Sequence, residues 1–172
     1  MGYHADYSST ENLTKKETLQ HVLDSYTALE TSNWVTNLSN CSSLLWHAYH
    51  SLNVRVNWTG FYLASGTNTH SQSRELELGP FQGKVACQSI KWGQGVCGVA
   101  ASLKATQLVA NVHEFPGHIA CDGETQSEVV VPIVKGDDVV GVIDLDCLSL
   151  SGFDEVDVEY LEKLAELISR CL

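Results

Sequence analysis

The sequence predicts a single α+β domain, a six-stranded, mostly antiparallel sheet with N- and C-terminal helices packed on one face. Three observations predict it. Apolar residues recur at helical spacing near both ends, β-branched and aromatic runs fill the middle, and the links between those runs are short. At 172 residues with 44% hydrophobic and 18% charged content, the chain can bury a core without disulfides or metal.

Residues 1–13 read as a flexible lead and 14–172 as the folded unit. Thr14-Lys15-Lys16-Glu17 forms a capping box, and Leu19, Val22, Leu23, Tyr26 and Leu29 make the stripe of a first helix. After Thr31-Ser32-Asn33, a second stripe runs through Trp34, Leu38, Cys41, Leu45, Ala48, Tyr49 and Leu52, with Cys41 as a small core hydrophobe. From Val56 the period becomes that of a strand. Val56–Leu63 and Glu75–Leu78 flank a Ser/Gly/Thr/Asn-rich tip and predict a hairpin.

Val85–Ile90 reads as a third strand, and Lys91–Gly98 as a glycine-punctuated loop that leads into a short helix near Ala100. Gly93, Gly95 and Gly98 suit either a moving lid or static turns. Gln107–Ala110 is another short strand, followed by the irregular stretch Asn111–Thr125. Ser127–Val134 and Val139–Asp146 surround Lys135-Gly136-Asp137-Asp138 and make the clearest hairpin. A last helix starts at N-cap Asp154 with Phe153 and Val158 as a hydrophobic staple, and carries Leu161, Leu164, Ala165, Ile168 and Cys171.

Charge narrows the function classes. Ten Lys plus Arg against twenty-one Asp plus Glu give −11, with no basic cluster, which argues against a nucleic-acid partner. The polar N-terminus lacks the apolar stretch of a secretory signal, and no segment targets a membrane. The expected location is the cytoplasm, with the nucleus also open to the chain. There, six cysteines are expected to be thiols rather than a structural disulfide framework.

Cys87, Cys97 and Cys121 follow the spacing C-x9-C-x23-C and lie in glycine- and polar-rich segments where a thiol has little packing to do. They supply enough thiols for one nucleophile and one or two resolving partners, the set that runs from sulfenic acid to disulfide. Cys147 and Cys171 are read as structural or peripheral. For a metal, Cys97, His113, His118 and Cys121 offer suitable atoms without any C-x-x-C or H-x3-H pair, so no metal site is expected.

Asp144 and Asp146 alternate onto one strand face, opposite Ile143, Leu145 and Cys147. They are either a site that needs a cation or a shared proton, or a solvated strand end. Glu128 joins their face if Gly136 takes the left-handed slot of a three-residue loop, whereas an even-numbered loop without a bulge points it away. Trp58, between Asn57 and Thr59, is either core or the wall of a pocket for a methyl or thioether group.

These residues stand in motifs that resemble a known family. Asn57–Tyr62, Gly79–Cys87, Gly95–Gly98, Pro116–Asp122, Ser127–Pro132 and Gly141–Asp146 together resemble the free methionine-(R)-sulfoxide reductases, free-standing GAF domains, over about residues 15–171. The chain looks like a fungal-type member. The resemblance implies a GAF-like fold and reduction of free methionine-(R)-sulfoxide, with thioredoxin as reductant and no bound cofactor, and it admits a homodimer. It places the family's nucleophile and resolving thiols on Cys87, Cys97 and Cys121, its substrate-binding acids on Glu128, Asp144 and Asp146, and an aromatic wall at Trp58.

Sulfoxide chemistry asks for such a set, because the oxygen must be protonated while a thiol faces the sulfur. Glu128, helped by Asp146, is the expected proton donor, and Asp144 the partner of the substrate ammonium. Cys121 is the expected nucleophile and Cys87 the main resolving thiol, with Cys97 as the rival attacker. Two other readings remain at this point: a GAF module that binds a ligand without turnover, and a redox-sensing interaction protein.

Overall fold

The computed structural model describes residues 10, 12–65, 74–119 and 121–172. Most of the expected flexible lead and the tip of the first hairpin lie outside the described residues. Among the described residues, four α-helices and six strands follow in the order α1 (Lys15–Leu29), α2 (Trp34–Ser51), β1 (Val56–Ala64), β2 (Glu75–Gly83), β3 (Ser89–Lys91), α3 (Gly95–Leu103), β4 (Gln107–Val109), β5 (Ser127–Lys135), β6 (Asp138–Cys147) and α4 (Glu155–Ile168), with a short 3-10 turn at Val112–Glu114. The sheet order is β3-β2-β1-β6-β5-β4, and each neighbouring pair is antiparallel.

The two faces of the sheet carry different layers. On one, α1, α2 and α4 bury Leu19, Leu38, Leu45, Leu161 and Leu164 against Phe61, Val131, Ile143 and Leu145. On the other, α3 lays Val96, Cys97 and Ala100 over Trp58, Tyr62, Val130 and Val142. The terminal helices thus share one face, as their stripes predict, and the chain between β2 and β5 is left to build the second. No described helix is long and apolar enough to cross a membrane.

Local signals place the helix starts. The Thr14 side chain accepts from the Glu17 backbone while the Glu17 carboxylate receives the Thr14 N–H at 2.8 Å, and Asp154 and Asp157 repeat the box at α4. Asp157 does more than cap. Fully buried, it takes the Lys15 ammonium at 2.5 Å and the Tyr49 hydroxyl at 2.9 Å, so one carboxylate ties together α1, α2 and α4.

Several expectations are corrected. β2 runs on through Pro80 to Gly83, because β3 pairs only with residues 75–77 and leaves the outer edge beside Pro80 free, where a missing N–H costs nothing. The third strand is Ser89–Lys91 rather than Val85–Ile90, and Cys87 stands in an irregular segment. Helix α3 starts at Gly95, so Cys97 is a buried residue of its first turn and not a loop thiol. Gly98 is needed there, since a Cβ would strike the Lys91 carbonyl. Cys171 follows α4 in a turn rather than lying within it.

The last hairpin reaches the expected face by a different route. Gly136 is left-handed (φ 62°), but Lys135 pairs with Asp138 across a two-residue turn, and a bulge at Val140 restores the pairing of Glu128 with Asp146. That single extra residue turns Glu128 toward Asp144 and Asp146.

Replacing Asp157 by Ala leaves the buried Tyr49 hydroxyl without its acceptor and Lys15 with Asp154 alone. The expected cost is about 3 kcal/mol with an unchanged denaturant slope, measured by urea unfolding. A loss below about 0.5 kcal/mol would mean that packing alone holds the helices together.

Candidate active site

Strand register assembles the site in rows. Trp58, Asp146 and Glu128 stand side by side across β1, β6 and β5, and Gly60, Asp144 and Val130 form the next row. Gly60 matters because it has no side chain: a Cβ would lie 2.5 Å from Phe81 Cβ and 2.7 Å from the Trp58 ring. The indole therefore lies flat across this position, stacked on Phe81 at 5.3 Å and on Tyr62 at 5.7 Å, with its N–H donated to the Lys84 carbonyl.

A pocket opens above these rows. It is a small cleft, partly open to solvent. Trp58 and Tyr62 wall one side, Cys97 lies on another, and Glu128, Asp144 and Asp146 form the acidic floor. Of the three candidate thiols, Cys97 and Cys121 line it.

Cys121 is joined to Cys87 by a disulfide with Cα atoms 5.5 Å apart. The bond links the segment after β2 to the loop before β5, and neighbouring contacts hold both partners. The Tyr62 hydroxyl donates to the Cys87 carbonyl at 3.0 Å. Lys84 reaches across to Asp122 at 3.6 Å and to Glu124, and Asn57 donates to Asp122 and to the Thr125 hydroxyl at 3.2 and 3.0 Å.

The electrostatics divide the site. Glu128 and Asp144 are each 6% exposed, and burial pushes both carboxyls well above their ordinary range, with the neighbouring acids adding to the shift. Asp146, half-buried, is raised by burial and by Asp144. Among the described residues, the ion-pair contact made by this trio is from His118 Nε2 to Glu128 at 3.6 Å, and burial lowers His118, which weakens its charge. Asp144 Oδ1 is buried without any hydrogen-bond partner. At the lip, by contrast, the Glu124 backbone N–H, then Asn57 and Lys84, hold Asp122 below the ordinary range.

Cys97 belongs to the acidic interior. Burial and the charges of Asp144 and Glu128 push its thiol up, and a hydrogen bond to Asp144 further favours the protonated form. The Cys97 sulfur and oxygens of Glu128 and Asp144 all lie within 4.8 Å of one another, close enough to share a cation. Of the earlier metal candidates, His113, His118 and Cys121 are not part of this group.

The structure thus brings Cys97, Cys121, Glu128, Asp144, Asp146 and Trp58 into one pocket, with Cys87 bonded to its wall. Sequence reasoning missed Tyr62, Thr125 and Asp122, and weighed His118 only as a metal ligand. A signal for Tyr62 was present: it stands on the same strand face as Trp58, and its polar tip needed a partner.

Residues 41–172 match the family model described as GAF domain. A free methionine-R-sulfoxide reductase from Saccharomyces cerevisiae is 58% identical over 170 residues, covering 97% of this chain and 91% of the relative. A solved chain described as the structure of the GAF domain superposes with a TM-score of 0.92 at 55% identity, covering 99% of this chain and 96% of that one. The free methionine-R-sulfoxide reductase of Neisseria meningitidis, in complex with its substrate, gives a TM-score of 0.78 at 34% identity, covering 99% and 93% of the two chains.

Burial raises the three floor carboxyls above the ordinary range, at about 4, in which an unfolded chain releases such protons. Their contribution to stability therefore falls as pH rises. The unfolding midpoint of the ligand-free protein is expected to drop between about pH 5 and about pH 8, and to drop less in Asp144→Asn. Identical slopes would show that the Asp144 carboxyl titrates as an exposed one does.

Proposed function

The chain belongs to the GAF-domain family of free methionine-R-sulfoxide reductases, and from that premise we propose that its pocket reduces free L-methionine-(R)-sulfoxide to methionine. The observation that carries this reading is the combination of an acidic floor, an aromatic wall and a disulfide-forming thiol in one small cavity. Trp58 takes the methyl end of the substrate. Asp144, with its unpartnered oxygen, receives the α-ammonium.

Glu128 supplies the proton. A carboxyl kept protonated by burial can donate to a sulfoxide oxygen at neutral pH, and Asp146 beside it favours that state. The Cys121 thiolate attacks the substrate sulfur, methionine leaves, and the oxygen remains on Cys121 as a sulfenic acid. Cys87 then condenses with it, releasing water and forming the disulfide, which thioredoxin reopens. Two features favour Cys121 over Cys97 as attacker: it lines the pocket within bonding reach of Cys87, and Cys97 is held as a thiol against two acids.

Selectivity for the free amino acid follows from the same floor. A peptide-bonded methionine sulfoxide has no ammonium, so it forgoes the ion pair with Asp144 and leaves that buried oxygen without a partner.

In a coupled assay with thioredoxin, its reductase and NADPH, the R epimer is expected to be consumed and the S epimer and peptide-bound sulfoxide left intact. Cys121→Ser is expected to abolish turnover, and Glu128→Gln to slow it by about a hundredfold or more. No NADPH consumption with the R epimer would leave a ligand-binding or redox-sensing module. Full activity in Cys121→Ser, with a sulfenic acid trapped on Cys97, would exchange the roles of those two thiols.

A further inference from the structure

We propose that Cys97, Glu128 and Asp144 form a binding site for a borderline-soft divalent cation of the zinc class, which blocks the pocket. The three side chains come from separate elements, α3, β5 and β6, and their ligand atoms converge within 4.8 Å of one another. A second observation points to a ligand: Asp144 is 6% exposed, lines the cavity, and keeps one oxygen without a partner. A buried, unsatisfied carboxylate oxygen is costly, and a cation among these three groups would satisfy it.

The donor set selects the ion. One sulfur and two carboxylate oxygens, with a side open to the cavity, match three protein ligands plus a water on a tetrahedral ion. Magnesium and calcium demand six or more oxygens at their preferred distances, which this pocket does not assemble. Binding exchanges protons and transfers no electrons: the ion bonds to the Cys97 sulfur, the thiol proton leaves to solvent, and the carboxyls release any protons they hold. Affinity therefore rises with pH. The other ionisable groups facing the ion are Tyr62 from β1, Asp146 from β6, and His118 and Asp122 from the loop before β5.

The three ligands are all present with the redox pair bonded. Cys97 remains free while Cys87 and Cys121 are bonded, and the free Cys41, Cys147 and Cys171 lie outside the pocket. Such an ion would occupy the floor that the proposed function assigns to the substrate, so the blocking role rests on that reading. The binding itself does not.

Titration of the disulfide form with Co²⁺ tests binding without turnover. A near-ultraviolet thiolate-to-cobalt band is expected, displaced by Zn²⁺ and unaffected by excess Mg²⁺. Cys97→Ser is expected to remove the band, and Asp144→Asn to weaken binding by about tenfold or more. Absence of the band, or its persistence in Cys97→Ser, would overturn the proposal. Methionine added to the cobalt form is expected to compete with the ion. If the band forms but methionine leaves it unchanged, the blocking role fails while the site stands, and if the protein also fails to reduce the R epimer, it is the functional reading that falls.

Discussion

Three carboxyl groups held on one sheet face, with no lysine or arginine among the described residues paired to them, are the constraint on which the pocket depends. A guanidinium or ammonium paired with them would favour their ionised form, and the described residues bring only His118 to Glu128. Burial and mutual repulsion make them retain protons instead. The folded chain thereby gives up stability to keep a floor that can donate a proton and accept a cation.

The thiols sort themselves against that floor. Cys97, pressed onto Asp144 and Glu128, shares the electrostatics of the acids and is held as a thiol. Cys121 sits in the loop that Lys84 and Asn57 fasten to the opposite lip, and it is bonded to Cys87. In the proposed reaction the arriving ammonium offsets negative charge at the moment when a thiolate is needed nearby. Substrate binding and thiol activation would then be one electrostatic event.

How much of this could be read from the sequence depended on the range of the forces involved. The capping boxes at Thr14 and Asp154 were legible because every partner lies within three residues. The shared face of Asp144 and Asp146 was legible because strand alternation is local. Glu128 was ambiguous, since its direction depends on the Val140 bulge and the two-residue turn together. Cys97 was misplaced because its burial comes from α3 folding over the second sheet face, a long-range contact that glycine-rich flanks conceal. The strand through Pro80 was missed for a similar reason: whether a missing N–H is tolerated depends on where the neighbouring strand ends.

The most direct measurement of the central claim is the titration of the carboxyl groups themselves. In carbon-13 NMR of the ligand-free protein, the side-chain carboxyl signals of Glu128 and Asp144 are expected to titrate well above the ordinary carboxylate range, and methionine is expected to lower the Asp144 transition. Transitions near pH 4 for both groups, unmoved by methionine, would contradict the account: the floor would be ionised at neutral pH, with no proton for Glu128 to give.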